Sequence, residues 1–156
     1  MTPVTVVGAG FAGCEAAWTL AQNGIPVTLW EMKPQKFSPA HHSPDFAELI
    51  CSNSFKASRL ESAAGLLKAE MERLGSLCVP CAKETAVAAG GALAVDRDRF
   101  SALVTEKIRN HPLITVREGE VTEIPDGNVI IATGPLTSEA LSAAIGELIS
   151  AEYLSF

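Results

Sequence analysis

The 156-residue sequence predicts an α/β fold built on a parallel sheet, and three observations carry that expectation. An apolar β-branched run, Val4–Val7, feeds a glycine-rich hexapeptide; a small-residue, apolar helical stretch follows to about residue 23; a second apolar run occupies residues 25–30. Strand, helix and strand joined within about 30 residues are the unit of a parallel sheet, because a parallel return needs a long crossover. With 47% apolar residues the chain is expected to form one domain whose strands are buried on both faces.

The hexapeptide is Gly8-Ala9-Gly10-Phe11-Ala12-Gly13, a G-x-G-x-x-G. That pattern carries weight only between a strand and a helix, which is where it stands here. Gly8 is expected to allow the tight turn, Gly10 to let the backbone approach a pyrophosphate, and Gly13 to let helix and strand pack closely. The helix over residues 13–23 then points free N–H groups, and the positive end of its dipole, at whatever lies over the turn. Gly24 suits the position just past the helix, and Pro26 is tolerable at the start of the next strand. Glu31 falls 18 residues after Gly13. That is close to the roughly 20 expected of a carboxylate that binds an adenosine ribose. An acid there disfavours a 2′-phosphate, so a Rossmann-like domain for FAD or NAD is expected in preference to NADP.

Charge and composition narrow the field. A net charge of −6 and a pI near 5.0 leave no basic footprint for gripping nucleic acid. The N-terminus lacks a charged leader region, and no apolar run approaches the roughly 18 residues of a membrane span. A cytosolic location is therefore expected, with the four cysteines reduced.

After Glu31, residues 32–44 contain three prolines and little periodicity, a long loop of the kind that carries function. His41 and His42 are adjacent, so their side chains diverge and a shared metal is not expected. Asp45 is expected to cap a short helix through Phe46, Ala47, Leu49 and Ile50. Cys51-Ser52-Asn53-Ser54 follows. Small polar neighbours can favour a thiolate at Cys51, although on the residues alone a half-buried structural cysteine is the stronger reading. Residues 58–74 read as an amphipathic helix ended by Gly75. Cys78-Val79-Pro80-Cys81 has redox or half-zinc-site spacing, but Cys14 and Cys51 do not complete a ligand set.

Residues 90–95 predict a strand, and Asp96 or Asp98 a cap for a helix through Phe100, Leu103, Val104 and Ile108. Residues 113–117 and 120–124 predict two short strands about Glu118-Gly119. Residues 128–134 predict a buried strand ending Ala132-Thr133-Gly134, small enough for a ligand to lie against at the carboxyl edge. Thr137 or Ser138 caps a last helix through Leu141, Ile145 and Ile149. The architecture expected is a parallel sheet with a helical excursion after the second strand and a small β excursion. Residues 151–156 read as the approach to another element, so an incomplete chain is expected.

Four stretches resemble one family closely: VVGAGFAGCEAAW (6–18), SPAHHSPDFAELICSNSF (38–55), AGGALAVDRDRF (89–100) and VIIATGPLTS (129–138). The family is that of the bacterial folate- and FAD-dependent tRNA uracil-5-methyltransferases. The glycine-rich start is shared with related flavoproteins, notably the tRNA wobble-uridine modification family; the second and third stretches are more specific. The resemblance implies transfer of a one-carbon unit from methylenetetrahydrofolate, through reduced FAD, to C5 of a T-loop uridine in tRNA, with NAD(P)H as reductant. It implies that Gly8, Ala9, Gly10, Phe11, Ala12, Gly13 and Glu31 hold the ADP portion of FAD. Thr133 and Gly134 would approach the cofactor, and Cys51 becomes the catalytic thiol. Cys78 and Cys81 lie outside the family pattern. The family is much longer than this chain, so the chain alone is expected to hold FAD weakly and to catalyse nothing.

Other readings are a wobble-uridine flavoprotein, a small NAD-dependent dehydrogenase and a non-catalytic nucleotide-binding module. The CSNS after AHH speaks against the first. A Tyr-x-x-x-Lys is absent, Tyr153 being the single tyrosine, which speaks against the second.

Overall fold

The parallel sheet of the computed structural model, which describes residues 2–149, is centred on β1 (Val4–Val7). In chain order come α1 (Phe11–Gln22), β2 (Val27–Glu31), β3 (Ser54–Ala57), α2 (Ala63–Arg73), α3 (Cys78–Glu84), β4 (Ala86–Val87) and β5 (Ala92–Val95). Then follow α4 (Arg97–Arg109), β6 (Ile114–Glu118), β7 (Val129–Ile131), a single 3-10 turn (Gly134–Leu136) and α5 (Glu139–Ile149). Four strands form the main sheet in the order β6-β2-β1-β7, every neighbouring pair parallel. A smaller antiparallel sheet has the order β3-β5-β4.

The β-branched and leucine-rich runs make the centre of this sheet, with Val6, Val27 and Leu29 buried on one face and Val7 on the other. The expected burial of every strand on both faces is not met, because β7 stands at the sheet edge with Ile130 and Ile131 exposed. α1 packs on one face through Gly13, Cys14, Ala17 and Ala21, spaced one helical turn apart. α4 follows the same logic with Phe100, Val104 and Ile108 buried, and Asp96 caps it by accepting the Arg99 N–H at 3.1 Å. Phe11, Phe55 and Phe100 touch one another, with ring centroids 5.3 to 5.7 Å apart. They join the glycine-turn helix, the small sheet and α4 into one core.

The ends of the strands matter most for a site. The Gly8 N–H donates to the Trp30 carbonyl, the Ala132 N–H to the Val7 carbonyl and the Gly119 N–H to the Glu31 carbonyl, each at 2.8 Å. The carboxyl ends of β1, β2, β6 and β7 are therefore level, and the loops leaving them converge on one side of the sheet.

Several elements differ from expectation. Residues 45–50 form no helix. Ala47 has φ +48°, its N–H donates to the Ala9 carbonyl at 2.9 Å, and the Phe46 N–H donates to Thr105 Oγ1 at 2.8 Å, so tertiary bonds take the groups a helix would use. Residues 120–124 form no strand. The connection over residues 119–128 must cross from β6 at one sheet edge to β7 at the other, which leaves none of it to pair. α2 starts at Ala63 rather than residue 58, because Ser62 caps it through the Gly65 N–H at 3.1 Å. β3 and β4 were not anticipated. No helix among the described residues is long and apolar enough to cross a membrane.

Candidate functional site

A cavity of about 550 Å³ opens at the carboxyl edge of the main sheet. Gly8, Ala9, Gly10, Phe11 and Ala12 form its floor, Glu31 and Lys33 one wall, Cys51 and Ser52 another, and Thr133 and Gly134 a third. Residues far apart in the chain thus meet in one place, and every sequence-predicted site residue but one is among them. Gly13 is not in the lining. It packs the helix on the strand turn: a Cβ there would lie 1.7 Å from the Gly8 carbonyl oxygen.

The floor has the features of a diphosphate seat. Gly8 has φ +97°, and a Cβ on it would come within 2.9 Å of the Ala132 carbonyl oxygen. Gly10 is the N-cap of α1, and an added Cβ would meet nothing within 4 Å, so its hydrogens face open space. No side chain caps α1 and no acid lies in its first turn. Its leading N–H groups and dipole are left for an anion from elsewhere. The residues present therefore fit a dinucleotide.

Glu31 is 7% exposed. Its Oε2 accepts the Ala9 N–H at 2.8 Å and its Oε1 the Lys33 N–H at 3.0 Å. A carboxylate has about four acceptor positions, so each oxygen keeps capacity for a sugar hydroxyl. On the opposite wall, Thr133 and Thr137 share a hydroxyl contact at 2.5 Å, and Thr137 Oγ1 donates to the Gly134 carbonyl at 2.7 Å. These bonds fix the turn after β7 against the cavity.

Cys51 is exposed on the cavity wall rather than half-buried. Its polar neighbours serve the loop and not the sulfur. Ser52 Oγ accepts the Ser54 N–H, Ser54 Oγ accepts the Lys56 N–H, and Asn53 Nδ2 donates to the Val95 carbonyl, each at 3.1 Å. Such side-chain-to-backbone turns hold a loop without regular structure. They set the thiol's place at the cavity rim.

Cys14, Cys78 and Cys81 are buried and form no disulfide, and the Cys14 thiol donates to the Ala9 carbonyl at 3.3 Å. Burial, reinforced by the Glu31 and Glu15 carboxylates, pushes the Cys14 thiol far up; burial and Glu15 do the same to Cys78. Burial pushes Cys81 up to about 11. The C-x-x-C stands in α3, whose start is capped by Glu15 accepting the Leu77 and Cys78 N–H groups at 3.0 and 2.8 Å. These thiols are core residues. No group of three or more His, Cys, Asp or Glu among the described residues is arranged to hold a metal.

Two residues of this region, Lys33 and Glu48, escaped the sequence reading. Lys33 is 4% exposed, its Nζ donating to the Ser43 carbonyl at 3.0 Å and to the Asp45 carbonyl, with the Glu48 carboxylate 3.6 Å away. Glu48 also accepts the His42 and Ser43 N–H groups, at 3.0 and 3.1 Å. His41 lines the cavity, and its Nδ1 lies 2.6 Å from Ser38 Oγ. Burial and the nearby Lys33 ammonium hold His41 below its usual value. The sequence signal was weak: a lysine in a proline-rich loop ordinarily reads as solvated.

The family model described as glucose inhibited division protein A matches residues 3–151. A methylenetetrahydrofolate–tRNA-(uracil-5-)-methyltransferase TrmFO of Geotalea uraniireducens is 62% identical over 154 residues, and the protein of the same name in Enterococcus faecalis is 58% identical over 153. In both cases the match covers 98% of this chain and 35% of the relative. The chain thus spans about a third of the length of the curated relatives it matches. Among solved structures, Aquifex aeolicus GidA superposes with a TM-score of 0.63 at 18% identity, over 81% of this chain and 21% of that one. NikD, an amino acid oxidase of nikkomycin biosynthesis, superposes at 0.52 and 16% identity over 92% and 53%. At such identities the likeness establishes the fold.

Proposed function

The chain belongs to the glucose inhibited division protein A family, and from that membership we propose that it is the FAD-holding part of a folate-dependent tRNA (uracil-5-)-methyltransferase. The observation that carries the proposal is the single cavity in which an uncapped helix start, the Glu31 carboxylate and the exposed Cys51 thiol meet.

The chemistry FAD supplies when bound is transfer of a one-carbon unit from methylenetetrahydrofolate to C5 of a T-loop uridine in tRNA, with NAD(P)H as reductant. The chain's own residues bind and position. Backbone N–H groups of residues 8–12 and the α1 dipole neutralise the diphosphate, and Glu31 accepts ribose hydroxyls through its remaining lone pairs. Thr133 and Gly134 let the cofactor lie close to the backbone at the end of β7. Cys51 is the catalytic thiol. Uracil C5 is a poor nucleophile until the ring is activated, and a thiol at an open rim can reach a base extruded from the folded T-loop.

With a net charge of −6 this part offers little for phosphates to bind, so we assign most of the tRNA grip to the two thirds of the relatives' length that the chain does not match. Cytoplasmic tRNA is the expected substrate pool. The test is a chimera in which this chain replaces the matching third of the Bacillus subtilis relative. 5-Methyluridine formation in T-loop RNA, lost in Cys51→Ser, is the expected result. A soluble, flavin-loaded chimera that forms none overturns the proposal.

A further inference from the structure

A buried lysine organises the loop that carries the Cys51 thiol. Lysine is almost never fully buried without partners, because leaving water is costly for an ammonium. Lys33 donates two hydrogen bonds, to the carbonyls of Ser43 and Asp45, and pairs with the Glu48 carboxylate 3.6 Å away, and all three partners lie within residues 43–48. That stretch has no helix or strand of its own. Glu48 in turn gathers the His42 and Ser43 N–H groups. The ion pair thus joins the Ala47 and Phe46 backbone bonds in holding a stretch that has no regular structure.

The same lysine is tied to the glycine turn. Its N–H donates to Glu31 Oε1, Glu31 Oε2 accepts the Ala9 N–H, and the Ala9 carbonyl accepts the Ala47 N–H. The circuit from turn to carboxylate to lysine to loop and back passes through Ala9, Glu31, Lys33 and Glu48, all of which line the cavity, and Cys51 follows Glu48 by three residues. We propose that Lys33 and Glu48 are a positioning pair that sets where Cys51 stands relative to the dinucleotide turn, so that occupancy at Glu31 is transmitted to the thiol. The ligand's identity rests on the function proposed above; the pair's hold on Cys51 does not.

Cys51 is the exposed thiol of the four, so its rate of modification by 5,5′-dithiobis(2-nitrobenzoate) under native conditions reports its surroundings. The experiment measures that rate with and without FAD in the wild-type chain and in Glu48→Gln, with flavin fluorescence reading FAD binding separately and thermal melting reading the fold. The pair predicts that Glu48→Gln speeds ligand-free modification, and that FAD changes the wild-type rate about fivefold but the variant's rate hardly at all. If Glu48→Gln does not fold, Glu48→Asp, which keeps the charge but shortens the reach, carries the same expectation. A variant that melts lower yet modifies Cys51 at the wild-type rate overturns the proposal, since that is the signature of a pair that only stabilises. Should the wild-type chain bind no FAD, the proposed cofactor falls, and the ligand-free rates alone decide the pair: faster in the variant sustains it, unchanged overturns it.

Discussion

The Ala9 N–H donates to Glu31 Oε2 at 2.8 Å across 22 residues of sequence, in a buried setting. That bond ties the glycine turn to the carboxylate at the end of β2, so the two halves of the proposed dinucleotide seat are set relative to each other before any ligand arrives. Preorganisation of this kind lowers the ordering cost of binding.

Removing the carboxylate therefore harms the fold as well as the site. Glu31→Ala leaves the Ala9 and Lys33 N–H groups without their acceptors. A loss of about 1–3 kcal/mol is expected, the cost of a buried donor left unsatisfied. Urea unfolding of the variant beside the wild type measures it.

Two glycines of one motif should fail in different ways. In Gly13→Ala the new Cβ would stand 1.7 Å from the Gly8 carbonyl oxygen, so helix and turn must separate, and a marked fall in melting temperature is expected. In Gly10→Ala the Cβ meets only open space, so the ligand-free fold should melt close to wild type. FAD binding should weaken by about tenfold or more, because the methyl would stand where the proposed seat brings the pyrophosphate. Melting curves and a flavin titration on both variants separate fold from site.

The parts legible in the sequence are those whose signals are local. Strand, glycines, α1 and the acid at residue 31 lie within one short βαβ unit, and each obeys its own short-range rule. The stretch over residues 45–50 misled because helical spacing of apolar residues was overridden by Ala47 bonding to Ala9 and by Phe46 bonding to Thr105. Residues 120–124 had strand composition but no strand to pair with. Lys33 was invisible because its acceptors are backbone carbonyls 10 and 12 residues further on, which composition does not reveal. Cys51 was found through the block of residues around it, whereas the reason for that block, a loop built from hydroxyl and amide turns, needed coordinates.

Thiol chemistry should be confined to one position. Cys14, Cys78 and Cys81 are buried and their thiols pushed up, whereas Cys51 is exposed. A native titration is expected to modify Cys51 and to reach the other three only after denaturant is added. Mass spectrometry of the labelled peptides checks it, and Cys51→Ser should abolish the native reaction.

Acid should weaken the fold in two steps. Burial works to raise Glu48, but the His42 and Ser43 N–H donors and the Lys33 ammonium outweigh it and hold the carboxyl below its ordinary 4.5. Folding thus favours the carboxylate, and the stability it contributes is complete above 4.5 and lost as pH falls below that. His41, held below 6.5 first by burial and then by Lys33, is favoured neutral in the fold, so its contribution is present above 6.5 and declines as pH drops beneath it. Unfolding midpoints followed downward from neutral pH should fall in both windows. His41→Gln should flatten the upper limb and Glu48→Gln the lower.

The most direct measurement is an amide chemical-shift titration of the isotope-labelled chain with FAD, which detects even the weak binding expected of a chain that spans about a third of its relatives' length. Shifts that saturate and cluster at residues 8–12, Glu31 and residues 133–134 are the predicted result. A titration that leaves the Gly8 to Ala12 amides unmoved, while other surfaces respond or nothing does, would contradict a dinucleotide seat at that turn.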